Sequence, residues 1–379
     1  EVLGQVPVSC LAEEISTPGE GQVRGLITIA GNPAISAPDA GKLQAALPQL
    51  DCLVCVDNWI NETTANADVI LPGQSPLEIP HFDDLIWNWA LRNAGNYSPA
   101  IFPNEDRPQE WEVLLLLAGF CMGHGPGDLR AGDLDDLFFH GLVEALVQIP
   151  GFPLEGRDAQ DIIAGSRSEG GPLRLLDFQI RSGPWGDHYG ANSGGLTLAD
   201  FEAAPHGIDK GALTPQLDRV LETASGKIEL APPYITDDLG RLRARLARDE
   251  PELVLVSRRH LRSNNSWMHN VPSLVTGKDR CTLLIHPADA ERAGVSDGDR
   301  AAIRSEAGAV VAPVEVSDEM MPGVVSLPHG WGHDRPGTKV AVAQEHAGVN
   351  NNLLASGTMV DEISGNQVVN GIPVTVEPA

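Results

Sequence analysis

The sequence predicts an α/β region followed by an all-β region: part of a doubly wound, nucleotide-binding parallel sheet, then a sandwich or barrel of short strands. Three observations carry this. Between Arg24 and Trp59, two apolar runs flank a Gly-Asn-Pro turn and a helical pattern. Residues from about Glu252 onward break into short β-branched runs separated by Gly and Asp turns such as "SDGD" at Ser296 to Asp299. The intervening chain shows helical patterns and loop-rich stretches but no internal repeat.

Taken in order, "LITIA" reads as a buried strand ending at Gly31, Asn32 and Pro33. Leu43, Ala46, Leu47 and Leu50 then recur at helical spacing, and "LVCV" is a continuous apolar run of the kind buried on both faces of a parallel sheet. Strand, crossover helix and strand within about thirty residues make a parallel unit. "ADVILP" is a third strand, stopped by Pro72. Pro108 stands where a first helical turn would begin before "EWEVLLLLAGF", and "DLDDLFFHGLVEALVQIPG" is a second amphipathic helix. The Gly-, Pro- and Asp-rich segment from Phe152 to Gly211 reads as long loops. "TDDLGRLRARLARDEPE" reads as a short helix with Leu239, Leu242 and Leu246 on one face. Six strands follow: "ELVLVS", "TLLIHP", "RAAIRS", "AVVAPVEVS", "GVVSLP" and "IPVTVEP". The expected domains are an α/β body over 1–235 with a helical and loop-rich insertion over 100–235, a linker helix over 236–251, and a β domain over 252–379.

Composition excludes several function classes. A net charge of -26 argues against nucleic acid or an anionic membrane as the main partner, because both require clustered basic residues. The longest strongly apolar run, from Val113, is too short to span a bilayer. Five scattered cysteines make no disulfide framework and point to a reducing, cytoplasmic compartment. The first residue is Glu1, so the chain reads as a fragment or processed product, with any export signal upstream. The only C-x-x-C, Cys52 and Cys55, falls in the second strand, where residues three apart face opposite ways and cannot chelate one ion. Both read as packed thiols, and no metal ligand is expected in the chain.

Phrases distributed from Gly31 to Ala355 resemble the molybdopterin-dependent oxidoreductases of the dimethyl sulfoxide reductase family, which includes formate dehydrogenases and nitrate reductases. They are "GNPAISAPDAGKLQAAL" with "VDNWINETTANADVILP", then "TASGKIEL", "SRRHLRSNNSWMHNVPSL", "HPADAERAGVSDGDRAAIRSEAG" with "PGVVSLPHGWGH", and "GVNNNLLA". The resemblance implies two molybdopterin guanine dinucleotides holding one molybdenum or tungsten. It also implies that the β domain is a double-psi barrel closing over them. The family's amino-terminal iron–sulfur cysteines and its metal-ligating residue precede the "GNP" phrase and have no counterpart here. The chain therefore resembles the carboxy-terminal half of a catalytic subunit, whose partners would be the amino-terminal half, electron-transfer subunits and a small-molecule substrate. "GQSPLEIPHFDDLIWNWALRN" keeps Glu78 but departs from the usual continuation after "ADVILP", which leaves the substrate open.

On that resemblance, cofactor contacts are expected at the strand-to-helix turn of Gly31, Asn32 and Pro33, where backbone N–H groups suit a pyrophosphate. Asp57, at the carboxyl end of the second strand, either accepts the N1–H and N2 amine of guanine or caps the turn in "DNWINET". Thr63 and Asp68 lie in the same phrase. Arg258, Arg259 and Arg262 are candidates for phosphates; Asn264, Asn265 and Ser266 offer hydrogen bonds to the pterin edge, and Trp267 and His269 suit its rings. Asn350 and Asn352 add amide contacts. His329 and His333 mark the cofactor entrance, and catalytic residues stay unassigned. Two rival readings are a cofactor-free structural subunit of the same fold and a nicotinamide dehydrogenase. The second is disfavoured because no G-x-G-x-x-G follows "LITIA".

Overall fold

The computed structural model describes residues 5–83, 89–104 and 107–379. The chain forms two compact units, Glu1–Pro72 with Glu229–Ala379, and Gly73–Ile228. The first unit opens with three parallel strands in the order β1-β2-β3: β1 (Gly25–Ile29), β2 (Cys52–Val56) and β3 (Val69–Leu71). The expected strand–helix–strand unit is present, with Gly25 registered on Cys52 and Val54 on Val69. Its helix, Ala40–Ala46, buries Leu43 and Ala46 in a core with Ile15, Leu47, Leu53 and Cys55. Asn32 leads directly into a short helical turn, Pro33–Ser36, with the proline at the first position, where its missing N–H costs nothing.

Two expectations need correction here. β1 is an edge strand, and Ile27 and Ile29 are 39% and 52% exposed, so "LITIA" is not buried on both faces. Composition alone does not distinguish an edge from a centre; β2, which is central, buries Leu53, Cys55 and Val56. The C-x-x-C thiols diverge as a strand requires, but only Cys55 is packed, whereas Cys52 is exposed. Among the described residues, no group of three or more His, Cys, Asp or Glu side chains is placed to hold a metal ion.

The second unit holds two small antiparallel ribbons, β4 (His81–Phe82) with β6 (Tyr97–Ser98), and β5 (Arg92–Gly95) with β7 (Ile208–Ala212). Residues 84–88, within the divergent "GQSPLEIPHFDDLIWNWALRN" phrase, lie outside the described residues. Both expected helices form, Glu110–Cys121 behind a Gln109–Glu112 capping box and Ala131–Leu146. The segment after Phe152 is not simply loop: it contains the helices Ala159–Ala164, Pro172–Ser182 and Leu198–Glu202. The middle helix hides because its buried face is partly polar. Arg174 and Asp177 are buried beside Phe178, with Arg174 paired to Asp135 and Asp136. A hydrophobic-period reading misses such a face.

Back in the first unit, the helix Leu239–Leu246 leaves Leu239, Leu242 and Leu246 exposed, so its leucine face is not a packing stripe. All six expected strands of the β region then form: β8 (Leu253–Arg258), β9 (Leu283–Ile285), β10 (Arg300–Arg304), β11 (Ala309–Val316), β12 (Val324–Pro328) and β13 (Asn370–Pro378). They close into a barrel in the order β10-β11-β9-β12-β8-β13, parallel at β11–β9 and β12–β8 and antiparallel elsewhere. Leu255, Leu283, Ile285, Ile303, Ala312, Val325 and Leu327 fill its interior. Closure leaves the sheet without unpaired edges. Among the described residues no helix is long and apolar enough to cross a membrane.

Candidate functional site

The turn after β1 and the segment after β2 meet the barrel loop between β12 and β13, and polar side chains are buried where they meet. Asn32 donates from Nδ2 to Glu62 Oε2 at 2.8 Å and accepts at Oδ1 from the Thr63 hydroxyl at 2.7 Å. Thr63 Oγ1 in turn accepts from the Ala34 N–H. The other Glu62 oxygen, Oε1, accepts from the His333 backbone N–H at 2.9 Å and lies 3.1 Å from His333 Nδ1. His333 Nε2 is 2.9 Å from His269 Nδ1, and His269 packs on Trp331 with ring centroids 4.2 Å apart. Glu62, Thr63, His269 and His333 are all buried.

His333 sits at φ 74, a left-handed conformation unusual for histidine. Both of its hydrogen bonds to Glu62 hold it there, which is the kind of over-determined strain that collects at functional sites. Burial by itself raises the Glu62 pKa. The hydrogen bond and charge of His333, with the Asn32 amide, outweigh it and hold the carboxyl at about 2. Burial, then the neighbouring His333 and His260, lowers His269 to about 3, so its ring is neutral at physiological pH. A carboxylate only accepts, so His333 Nδ1 carries the proton that faces Glu62. His269 Nε2 is buried and without a hydrogen-bond partner.

Glu62 and His333 line a cavity of about 430 Å³ together with Gln44, Arg300, Arg335 and Asn350. Arg335 Nη1 is buried there with no partner. An orphaned guanidinium donor in a polar cavity calls for an anionic acceptor. Glu62, Arg300 and Arg335 were not candidates from the sequence. Arg335 stands two residues beyond His333 in "HDRPG", where a signal existed; Glu62 offered none, since its burial arises only when the barrel loop packs on it.

The expected residues divide into two groups. Asn32, Thr63, His269 and His333 converge in the buried network, with Gly31 and Pro33 framing the turn. Asn350 and Asn352 adjoin it, but their amides donate to the Ala34 carbonyl at 3.4 Å and the Ile35 carbonyl at 2.7 Å. Asp57 caps its own turn, accepting from the Trp59 N–H at 2.9 Å and from Asn61 Nδ2 at 3.0 Å. Asp68 accepts from the Leu53 N–H. Arg258 donates to the carbonyls of Ser326 and Thr282 inside the barrel wall. Arg259 bonds Asn265, whereas Arg262, Asn264 and Trp267 are exposed and Ser266 is half-buried. His329 is half-buried, and burial lowers its pKa.

Residues 253–373 match the family model described as "Molydopterin dinucleotide binding domain", and residues 2–119 match "Molybdopterin oxidoreductase". The chain belongs to the molybdopterin oxidoreductases. It is 25% identical over 294 residues to a putative dimethyl sulfoxide reductase catalytic chain of Halobacterium salinarum, covering 78% of this chain and 31% of that protein. It is 44% identical over 107 residues to the assimilatory nitrate reductase catalytic subunit of Bacillus subtilis, covering 28% of this chain and 14% of that one. Acetylene hydratase from Pelobacter acetylenicus shares the fold, with a TM-score of 0.66 and 18% identity over 99% of this chain and 47% of the hydratase. The chain thus spans less than half the length of each of these proteins. The cofactor class of the family is a molybdopterin dinucleotide, and the unpaired Arg335 donor, Arg300 and the surrounding amides fit its phosphates.

Proposed function

We propose that this chain is the carboxy-terminal half of a molybdenum or tungsten oxidoreductase that binds bis-molybdopterin guanine dinucleotide for two-electron redox of a small substrate. The observation that carries the reading is the unpartnered Arg335 guanidinium in the 430 Å³ cavity beside Arg300, within a unit whose sequence matches the dinucleotide-binding family. On this reading the six-stranded barrel is of the double-psi type. The iron–sulfur cluster and the metal-ligating residue belong to the amino-terminal half, and electrons leave through that half to a partner subunit.

When bound, the cofactor supplies a metal centre able to exchange two electrons with a substrate. The chain's own residues hold and tune it. Arg335 and Arg300 offer charge-assisted hydrogen bonds to phosphate oxygens. On this reading Asp57, at the carboxyl end of β2, accepts from guanine in addition to capping its turn. Arg259, Arg262, Asn264 and Trp267, with the half-buried Asn265 and Ser266, form a polar rim with an aromatic face. Asn350 and Asn352 tie the barrel loop to the Pro33–Ser36 turn and so fix the cavity wall.

The test uses the full-length enzyme and reads guanine nucleotide released by acid, with molybdenum or tungsten by elemental analysis, both per protein. Arg335→Ala is expected to lower both about tenfold or more after equilibrium dialysis, since one charged hydrogen bond contributes roughly 1.5–3 kcal/mol. Arg241→Ala, in an exposed cluster with Asp238 and Asp361, should leave both unchanged. Full cofactor content in Arg335→Ala would remove the cavity from the binding site. In the same assay, full content in Asp57→Ala would reduce Asp57 to a turn cap. A wild-type enzyme that carries no guanine nucleotide and no metal would instead make the chain a structural subunit.

A further inference from the structure

The buried chain of Glu62, His333 and His269 joins two separate cavities. Glu62 and His333 line the 430 Å³ cavity. His269 lines a second one of about 30 Å³, room for one water molecule, walled also by Ser263, Trp331 and the loop around Arg280. Two contacts of 3.1 Å or less connect them, His333 Nδ1 to Glu62 Oε1 and His333 Nε2 to His269 Nδ1, and Asn32 Nδ2 holds the other Glu62 oxygen at 2.8 Å. His269 Nε2 is buried, meets no acceptor at good hydrogen-bond geometry although the Gly330 backbone also acts on the ring, and belongs to the residue that walls the smaller cavity.

We propose that Glu62, His333 and His269 form a proton relay between these two cavities, with His269 Nε2 as its loading port and His333 as the site where one proton is held against the Glu62 carboxylate. In the unloaded state both rings are neutral and protonated at Nδ1. His333 donates to Glu62, and His269 donates to His333 Nε2. A hydronium ion in the smaller cavity gives a proton to His269 Nε2 and becomes water; the His269 Nδ1 proton then passes to His333 Nε2. One O–H bond of hydronium and the His269 Nδ1–H bond break, and the His269 Nε2–H and His333 Nε2–H bonds form. One proton has entered, His269 is again neutral but with its proton on Nε2, and His333 is an imidazolium paired with Glu62. Release breaks the His333 Nδ1–H bond, passes the proton over Glu62 Oε1 and leaves it as hydronium in the larger cavity; both rings are then Nε2–H tautomers and return to the Nδ1–H form before the next proton loads.

The surroundings suit such a path. The smaller cavity is edged by His260, Arg262, Lys278, Asp279, Arg280 and His346, so titratable rings stand at its mouth. Burial, then His333 and His260, keeps His269 from holding the proton, and the buried Glu62 carboxylate lies inward of it, bonded to His333. Asp279, Arg300, Asp334 and Arg335 face the larger cavity, in addition to Glu62 and His333. A left-handed His333, held by two bonds from one carboxylate oxygen, keeps both ring nitrogens in line. A purely structural histidine pair needs neither a bare, buried nitrogen nor a cavity on each side.

The relay rests on the cofactor reading only for what the proton serves; its test does not use the cofactor. The full-length protein is prepared with 15N-labelled histidine, and exchange of the low-field His333 Nδ1–H with water is followed by NMR. His269→Asn keeps a hydrogen-bonding atom at the Nδ1 position but has no second nitrogen. It is expected to slow that exchange at least tenfold while the amides of β8 and β12 keep their protection. A structural role predicts the opposite, because a smaller side chain loosens the packing and speeds exchange; equal or faster exchange overturns the relay. Should the variant lose its amide protection, the wild-type titration decides. Protonation of His333 must convert His269 from the Nδ1–H to the Nε2–H tautomer, and an unchanged His269 tautomer refutes the proposal.

Discussion

Two polar regions of the first unit are built from similar residues and behave in opposite ways. Around Glu62, polar side chains are buried and nearly every atom has a partner within 3.1 Å. In the loop from Arg259 to Trp267, the polar side chains of Arg259, Arg262 and Asn264 face outward, as do Leu261 and Trp267, at 97% and 62% exposure. Buried donors and acceptors must find partners inside the protein, so the network is fixed before any ligand arrives. Exposed donors such as the Arg262 guanidinium are open to water and free to be recruited. On the proposed function, the first region sets the shape of the site, and the second supplies contacts that bind without holding the fold together.

The largest effect that this contrast predicts is at Glu62. Glu62→Ala leaves the His333 N–H, His333 Nδ1 and Asn32 Nδ2 without their acceptor. A cost of about 3–5 kcal/mol in urea unfolding is expected, as for breaking a buried charged pair. The pH dependence follows the same group. Its folded pKa of about 2 lies below the ordinary 4.5, so its stabilisation, about 3 kcal/mol, is fully present above about pH 4.5 and is lost as pH falls towards 2. His269 adds an earlier loss. It is neutral in the folded state with a pKa of about 3 against 6.5 unfolded, so the unfolded chain binds the extra proton and stability declines as pH drops below about 6.5. Acid titration of Glu62→Gln should flatten the lower part of the curve and leave the upper part. A variant within 1 kcal/mol of wild type at pH 7 and with an unaltered acid limb would mean that the two regions do not differ as described.

Much of this architecture was legible in the sequence, and the failures have physical causes. The six barrel runs could be read because alternation and Gly/Asp turns are local signals. "LVCV" was equally clear as a central strand, but the same composition in "LITIA" gave no warning that β1 lies at an edge. The helix Pro172–Ser182 was missed because Arg174 and Asp177 occupy its buried face, each bonded to a partner distant in sequence. At the site, His269 and His333 stood out as candidates. Glu62 did not, because its role depends on a residue 271 positions away, and no local pattern encodes such a contact. Arg258 looked like a phosphate ligand, yet in the barrel it finds carbonyls first.

An intermediate effect is expected where the two regions touch. Gly330 has φ 89, and a Cβ there would stand 2.2 Å from the Asn265 carbonyl oxygen. Backbone cannot move aside as a side-chain tip can, and the positive φ adds its own penalty. Gly330→Ala should cost about 1–3 kcal/mol and displace the Asn264–Asn265 turn, whose residues hold φ values of 40 and 61. Hydrogen exchange resolves the location of the change. Faster exchange is expected across residues 260–270, with the Ala34 and His333 amides in the buried network unchanged. Loss of protection at His333 as well would show that the loop and the network are one cooperative unit rather than two.

The smallest effect on stability is expected at Trp267, only two residues from buried His269. Its ring is mostly in water, so truncation removes little packing, and Trp267→Ala should change the urea midpoint by no more than about 0.5 kcal/mol. The same substitution should register in ligand retention if the loop forms the recruitable half of the site. An aromatic face stacked on a heterocycle contributes about 0.5–1.5 kcal/mol beyond its area, which is roughly a two- to tenfold faster loss of guanine nucleotide during dialysis of the full-length enzyme. The two measurements separate the roles cleanly because they move in different variants: Glu62→Ala lowers stability first, and Trp267→Ala lowers retention alone. A stability loss above 1 kcal/mol in Trp267→Ala would place the indole in the folded core of the loop. Unchanged stability together with unchanged retention would leave this exposed tryptophan outside the site, and the recruitable half would then be confined to Arg259, Arg262 and the neighbouring amides.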